Sequence, residues 1–194
     1  MNRPIYYKSY RSRKTEKFII PNKPLKEIIS QNHRVILDIG FGTGDSTVAL
    51  KEMFSDFLVC GIESYRPGIK KLISEKIHVE YGDALNVIEK LESNSVTQIY
   101  MLFPDPWQKS KHRKRRLLNE YTFNIIDNIL QNKGVFQFAT DNINYAFEAK
   151  RMMSKILSKS IEFSKHRGSR PITKYELKGI QKKNFIFDLI YLKN

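Results

Sequence analysis

"RVILDIGFGTGDS", residues 34–46, carries a short apolar run into three glycines at alternate positions and then into small polar residues that open helices. Such a run, bounded by turn residues, reads as a buried strand. Gly40, Gly42 and Gly44 let the chain turn tightly and let backbone N–H groups approach a ligand closely. The spacing is G-x-G-x-G, which departs from the dinucleotide fingerprint G-x-G-x-x-G. A pyrophosphate seated on the helix N-terminus is therefore poorly supported. Asp38, just before the glycines, is expected at the carboxyl end of its strand, facing the crevice where ligands bind in such sheets.

Outward from this turn, short apolar runs alternate with amphipathic segments. Strands are expected at 34–40, 58–63, 77–82, 96–103 and 134–141, then near 160–164 and at 184–192. Helical periods fall over 115–131, where Leu118, Tyr121, Ile125 and Ile129 repeat, and over 142–158. The alternation predicts an α/β fold: a doubly wound, mostly parallel, Rossmann-like sheet of seven strands whose last strand runs antiparallel. Residues 165–183 are too many for a hairpin loop and must hang over the ligand edge of the sheet. They carry His166, Arg167, Arg170, Lys174 and Lys178, so the segment reads as a substrate clamp. One domain is expected over 1–194, opening with a basic, aromatic arm at 1–24 and containing no repeat.

Composition narrows the partner. Thirty-four Lys and Arg against twenty Asp and Glu give a formal net charge of +14. A clustered surplus of this size favours polyanions through counterion release and steering. Cys60 is the single cysteine, in the apolar run "FLVCGIE", and the four histidines lie far apart without ligand spacing. That pattern offers neither a disulfide nor a metal cluster, so no metal is expected. Neither a membrane span nor the apolar core of a signal peptide is apparent, and the protein is expected in the cytoplasm.

Two further acids qualify the glycine turn. Glu63 ends the second expected strand, 19 residues beyond Gly44, where a carboxylate can accept both hydroxyls of a ribose. Asp83 follows the third strand and can accept from an adenine amino group or cap the helix that follows. Acids around a glycine turn suit a ligand with positive charge and no phosphates. S-adenosylmethionine fits that description better than NAD, and the pattern resembles a class I methyltransferase.

"FPDPW", residues 103–107, ends the fourth strand at the same edge. Pro104 and Pro106 fix φ and push their neighbours away from helix, which holds Asp105 in a rigid turn. Trp107 can stack on a base or plug the core. The next residues, "QKSKHRKRR", place cations at the expected start of the 115–131 helix, where they oppose its dipole. Lys111, Arg113, Lys114, Arg115 and Arg116 therefore read as phosphate contacts.

"FPDPWQKSKHRKRR" is similar to the hallmark of the tRNA (guanine-N7-)-methyltransferase family, and "DIGFGTG", "GIE", "YGDA", "TDN" and "RPITKYELKG" follow the family's other landmarks in order. They span residues 38 to 179. Asp38 stands where Glu is common, Gln108 where Pro is frequent and Tyr175 where Phe is usual. The resemblance implies methyl transfer from S-adenosylmethionine to N7 of a guanosine in the variable loop of tRNA. It implies a cofactor site of Asp38, Gly40, Gly42, Gly44, Glu63, Asp83, Ala84 and Asp105. It implies a guanosine site of Lys109, Asp141, Thr173, Lys174, Tyr175 and Glu176, with Asp141 serving equally well as a helix N-cap. Asp105 is the expected catalytic carboxylate. The expected partner is tRNA, with no obligate protein partner and a monomer or homodimer as the assembly. Two rival readings differ in class. An amino-methyltransferase would carry a D/N-P-P-aromatic turn, whereas here a proline also precedes Asp105. An RNA-binding protein without catalysis would have no need of Glu63, Asp83 and Asp105 together.

Overall fold

The computed structural model describes residues 23–194; the basic arm expected at 1–24 lies almost wholly outside them. Six strands, β1 (Val35–Ile39), β2 (Leu58–Glu63), β3 (His78–Tyr81), β4 (Val96–Leu102), β5 (Leu130–Thr140) and β6 (Phe187–Leu192), form one sheet in the order β3-β2-β1-β4-β5-β6. Neighbours from β3 to β5 are parallel and β6 runs antiparallel to β5. Seven α-helices occur among the described residues: α1 (Leu25–Ile29), α2 (Asp45–Met53), α3 (Arg66–Ser74), α4 (Ala84–Ile88), α5 (Glu120–Ile129), α6 (Ile143–Ile156) and α7 (Lys174–Gln181).

The sheet is covered on both faces, which is why its central strands read as continuous apolar runs. All five residues of β1 are buried. On one face the core joins Leu37 and Ile39 to Leu85 and Ile88 of α4, Phe123 and Ile126 of α5 and Tyr145, Ala149 and Met153 of α6. On the other, Leu50 of α2 packs with Ile36, Val59 and Tyr100, while Ile69 and Leu72 of α3 pack with Phe41 and Val79. Cys60 is buried as a free thiol in the first of these cores, with Leu37 and Ile39. Parallel strands bring β1 to β5 out at one edge with the same polarity, so the turns after them converge there.

The structure departs from the sequence reading in several elements. The strand expected at 160–164 is reduced to a single antiparallel bridge, Phe163 with Leu189, on the outer side of β6, so the sheet has six strands and not seven. The helix expected from 115 begins at Glu120. Asn119, in an extended conformation, caps it by accepting from the Thr122 N–H at 3.0 Å. The residues before it form a separate 3-10 turn over Ser110–Arg115. Finally, the segment read as a 165–183 loop contains α7, capped by Thr173, whose hydroxyl accepts from the Glu176 N–H at 3.1 Å.

Candidate active site

A cavity of about 730 Å³ opens at the edge where β1 to β5 end. Gly40 and Gly42 of the turn after β1 form its floor, whereas Gly44, expected there too, caps α2 against Leu72 outside the lining; their φ are +76°, +60° and +83°. Only glycine takes up such angles in succession without strain. The turn is pressed against α3: a Cβ on Gly68 would stand 1.9 Å from the Gly42 carbonyl oxygen. Gly68 is thus a supporting residue that sequence reading missed, although the "YRPGI" step at a helix start marks it. Nothing lies within 4 Å of where a Gly40 Cβ would be, so the floor there is open to a ligand.

Five carboxylates line this cavity, Asp45, Glu63, Asp83, Asp105 and Asp141, and the three at the ends of β2, β3 and β4 are differently employed. Glu63, at the end of β2, braces the turn: its Oε2 accepts from the Gly42 N–H at 2.8 Å and its Oε1 from the N–H groups of Ser64 and Tyr65. Asp83 caps α4 through the Leu85 N–H at 3.0 Å while also lining the cavity beside Ala84. Asp105, between the two prolines after β4, the strand beside β1, is exposed and lines the cavity. Tyr65, exposed beside Glu63, joins the wall without having been expected there.

Asp38 does not face the crevice, contrary to expectation. It is 1 % exposed, and its Oδ2 accepts from the hydroxyls of Ser46 at 3.0 Å and Thr47 at 2.8 Å, so it ties β1 to the first turn of α2. Burial pushes its carboxyl up to about 6, offset by the two hydroxyls and reinforced by the nearby Glu63 anion. Its Oδ1 is buried without a hydrogen-bond partner. A folded-state value above the ordinary 3.8 means the folded protein binds the extra proton between about pH 4 and pH 6. Stability from this group is therefore present at the acid end and lost as pH rises through 6, by about 3 kcal/mol. Asp38→Asn is expected to remove that slope. Melting curves of the two proteins from pH 4 to pH 7 should show the wild type losing ground to the variant as pH rises.

The PDPW turn is held from both ends. Phe103 and Trp107 take positive φ, +52° and +43°, a conformation that costs non-glycine residues roughly 1–3 kcal/mol each and persists where surroundings enforce it. At one end the Phe103 N–H donates to the Ala139 carbonyl at 2.8 Å. At the other, Arg116 enforces the turn. Its Nε donates to the Pro106 carbonyl at 2.8 Å, an Nη donates to Glu148 of α6 at 2.6 Å, and the guanidinium lies 4.7 Å from the Tyr145 ring centroid. Arg116 is 1 % exposed. The expectation that it contacts RNA phosphates does not hold; it is an internal strut.

The rest of the basic run divides. Lys111, Arg113 and Lys114 are exposed on the 3-10 turn, and Lys109 precedes it, exposed and outside the cavity wall. Arg115 lines the cavity with its guanidinium 5.0 Å from the Trp107 ring, whose other neighbour is the His112 ring, edge-on at 5.8 Å. Trp107 is thus a half-buried part of the rim and not a core plug. Because the cations sit on a 3-10 turn before the Asn119 cap, the argument from an opposing helix dipole falls away.

The clamp segment supplies the roof. Thr173, Lys174 and Tyr175 line the cavity, and the Tyr175 ring lies 3.8 Å from the position of a Gly42 Cβ. Burial, then the anions of Asp105 and Glu63, raise the Tyr175 phenol. Asp141 lines the cavity too and accepts from the Asn184 amide at 3.0 Å. The N-cap of α6 is Asn142, which accepts from the Tyr145 N–H at 2.9 Å, so Asp141 is released from capping. Glu176 departs from expectation. It is 3 % exposed and held by Arg170 at 2.6 Å and Arg167 at 3.0 Å, with Arg170 also paired to Asp188 of β6. Glu176 anchors the roof and does not face the guanosine side. No group of metal-ligating side chains occurs among the described residues.

Known proteins resemble this chain in sequence and in fold. The family model described as "Putative methyltransferase" matches residues 32–189. The tRNA (guanine-N(7)-)-methyltransferase of Buchnera aphidicola subsp. Acyrthosiphon pisum (strain Tuc7) is 36% identical over 170 residues, 81% of this chain and 71% of the relative. That of Aliivibrio salmonicida (strain LFI1238) is 31% identical over 181 residues, 87% and 76% of the two chains. Among solved structures, an antibiotic-related methyltransferase superposes with a TM-score of 0.57 at 18% identity, covering 92% of this chain and 97% of its own. The 30S ribosomal A1408 methyltransferase of an uncultured bacterium gives 0.52 at 18% identity, covering 88% and 92%. The solved structures establish the fold alone, a methyltransferase sheet; the curated relatives establish more, and the chain belongs to the tRNA (guanine-N7-)-methyltransferase family.

Proposed function

We propose that the protein transfers a methyl group from S-adenosylmethionine to N7 of a guanosine in the variable loop of tRNA, forming 7-methylguanosine. One observation carries the reading: a carboxylate fixed by the Pro104–Pro106 turn shares a cavity with Glu63 and Asp83, while exposed cations follow it directly on the 3-10 turn. The donor set fits the cofactor. Glu63 and Asp83 are acceptors for hydroxyl and amino groups, the open floor over Gly40 admits a ligand, and the carboxylates would repel a pyrophosphate. When bound, S-adenosylmethionine supplies an electrophilic methyl group on a sulfonium.

Guanine N7 offers a lone pair and has no proton to lose, so the protein need supply no general base. Its task is positioning and electrostatics. The purine becomes cationic as the bond forms, and Asp105, which lines the cavity, would favour that charge or hold the guanine edge. Asp141, Thr173, Lys174 and Tyr175 would frame the base, with Tyr175 closing over the glycine turn. Lys109, Lys111, Arg113, Lys114 and Arg115 would take phosphates, Arg115 from the cavity rim. The corresponding setting is cytoplasmic, with tRNA as partner and no obligate protein subunit, as a monomer or homodimer. No helix among the described residues is long and apolar enough to cross a membrane.

Nucleoside mass spectrometry on unmodified tRNA incubated with the protein and S-adenosylmethionine tests the reading. The expected product is 7-methylguanosine, mapping to the variable loop. A different methylated nucleoside would overturn the base and position, and no product in the presence of demonstrated cofactor binding would overturn the activity.

A further inference from the structure

A second concavity, of about 620 Å³, lies against α6. Arg113 of the 3-10 turn forms one wall; Ile143, Phe147, Lys150 and Arg151 of α6 form the other. Phe147 is 52% exposed, unusual for a ring that belongs to an aromatic cluster. It meets the Phe163 ring at 5.2 Å and 72° and the Phe187 ring at 6.1 Å and 67°, and those two rings lie 5.2 Å apart. The cluster holds the Phe147 ring in place while leaving much of it in water. A ring needed only for the cluster would gain by burial.

Charge says what the ring is for. Arg113 and Arg151 are exposed on this concavity. The acid on the same wall, Glu148, is neutralised by buried Arg116 at 2.6 Å, and Lys150 is paired with Glu162. What faces outward is cationic with an apolar ring between the cations. Lys111 and Lys114, both exposed, share the 3-10 turn with Arg113. The concavity also reaches the first residue of α6, Ile143, two residues beyond Asp141 of the active cavity.

We infer that this groove binds an unpaired nucleotide of the RNA substrate, its base stacked on Phe147 and its phosphates on Arg113 and Arg151. The inference rests on the reading of tRNA as substrate and assigns a second RNA contact outside the methyl-transfer cavity. Stacking needs a flat ring, whereas an apolar protein partner would be served by any apolar side chain. Phosphate contacts appear in the salt dependence, at about one unit of slope for each cation.

The test is tRNA affinity of the full-length protein measured at several salt concentrations, for wild type, Phe147→Leu, Phe147→Trp and Arg151→Ala. S-adenosylmethionine affinity and melting temperature serve as controls for fold. Both side chains replaced are at the surface, so folding and cofactor affinity should be retained. Phe147→Leu is expected to weaken tRNA binding about 10-fold or more without changing the slope, and Phe147→Trp to restore it. Arg151→Ala is expected to lower the slope by about one. Wild-type methylation with Phe147→Leu binding tRNA as tightly as wild type overturns the groove alone. A wild type that neither binds nor methylates tRNA overturns the functional reading, and the groove with it.

Discussion

Asp105→Asn lowers kcat for methyl transfer by about 10²–10³-fold and leaves the melting temperature nearly unchanged. The two halves of this expectation have separate physical grounds. Asp105 is exposed, and the turn that carries it is fixed by Pro104, Pro106, the Phe103 N–H and the strut from Arg116, none of which involves its carboxylate. Removing the charge therefore costs the fold little. The reaction is another matter, because positive charge moves from sulfur to the purine, and an amide in place of the carboxylate stabilises neither place. Measuring kcat at saturating cofactor and tRNA separates two roles. If Asp105 only holds the cofactor, S-adenosylmethionine affinity falls and kcat recovers at saturation. If it acts on the developing charge, kcat stays low at saturation. Wild-type kcat and wild-type cofactor affinity together would remove Asp105 from the mechanism.

How far the sequence reaches is visible in particular residues. β2 occupies the six residues read for it, Leu58 to Glu63, because a central parallel strand is apolar throughout and ends where a carboxylate begins the ligand edge. The acids after β2, β3 and β4 were legible for the same reason: topology alone brings those turns together. Arg116 was not legible. Arg113, Lys114, Arg115 and Arg116 are chemically alike on paper, and only the end of the 3-10 turn at Arg115 sends the last of them inward. A charge run carries no information about facing until its backbone is known. The helix in the clamp was legible and was missed. "TKYE", residues 173–176, is the Ser/Thr-x-x-Glu pattern of a capping box, and Thr173 does cap α7. The Glu176 side chain departs from that motif by turning to Arg170, a partner set by tertiary structure. The strand at 160–164 failed for a different reason. Only Phe163 and Ser164 meet β6, and the ladder does not propagate beyond that bridge.

The largest loss of stability is expected from Arg170→Ala. Arg170 is 2% exposed and donates to Glu176, which is 3% exposed, and to Asp188, which is 8% exposed. Truncation would strand two buried carboxylates with only Arg167 nearby, a situation that costs about 3–5 kcal/mol. For a domain of this length, that corresponds to roughly 6–20 °C in Tm. The same bonds tie the roof to the sheet, since Glu176 belongs to α7 and Asp188 to β6. Loosening them should raise KM for tRNA through Tyr175 and Lys174 while S-adenosylmethionine still meets its floor at the glycine turn. The pH dependence follows from Glu176. Burial pushes its carboxyl up, but Arg170 and then Arg167 bring it below its ordinary value. Its contribution is complete above the ordinary carboxylate range and is lost as pH falls through its lowered folded value, so the wild type's advantage over Arg170→Ala should shrink in acid. Removing the charges along with their partner separates electrostatics from packing. If stranded carboxylates are the cause, Arg170→Ala combined with Glu176→Gln and Asp188→Asn regains a large part of the lost Tm. If the triple variant melts no higher than Arg170→Ala alone, the loss lies in the cavity left by the guanidinium, and the ion pairs are not what holds the roof.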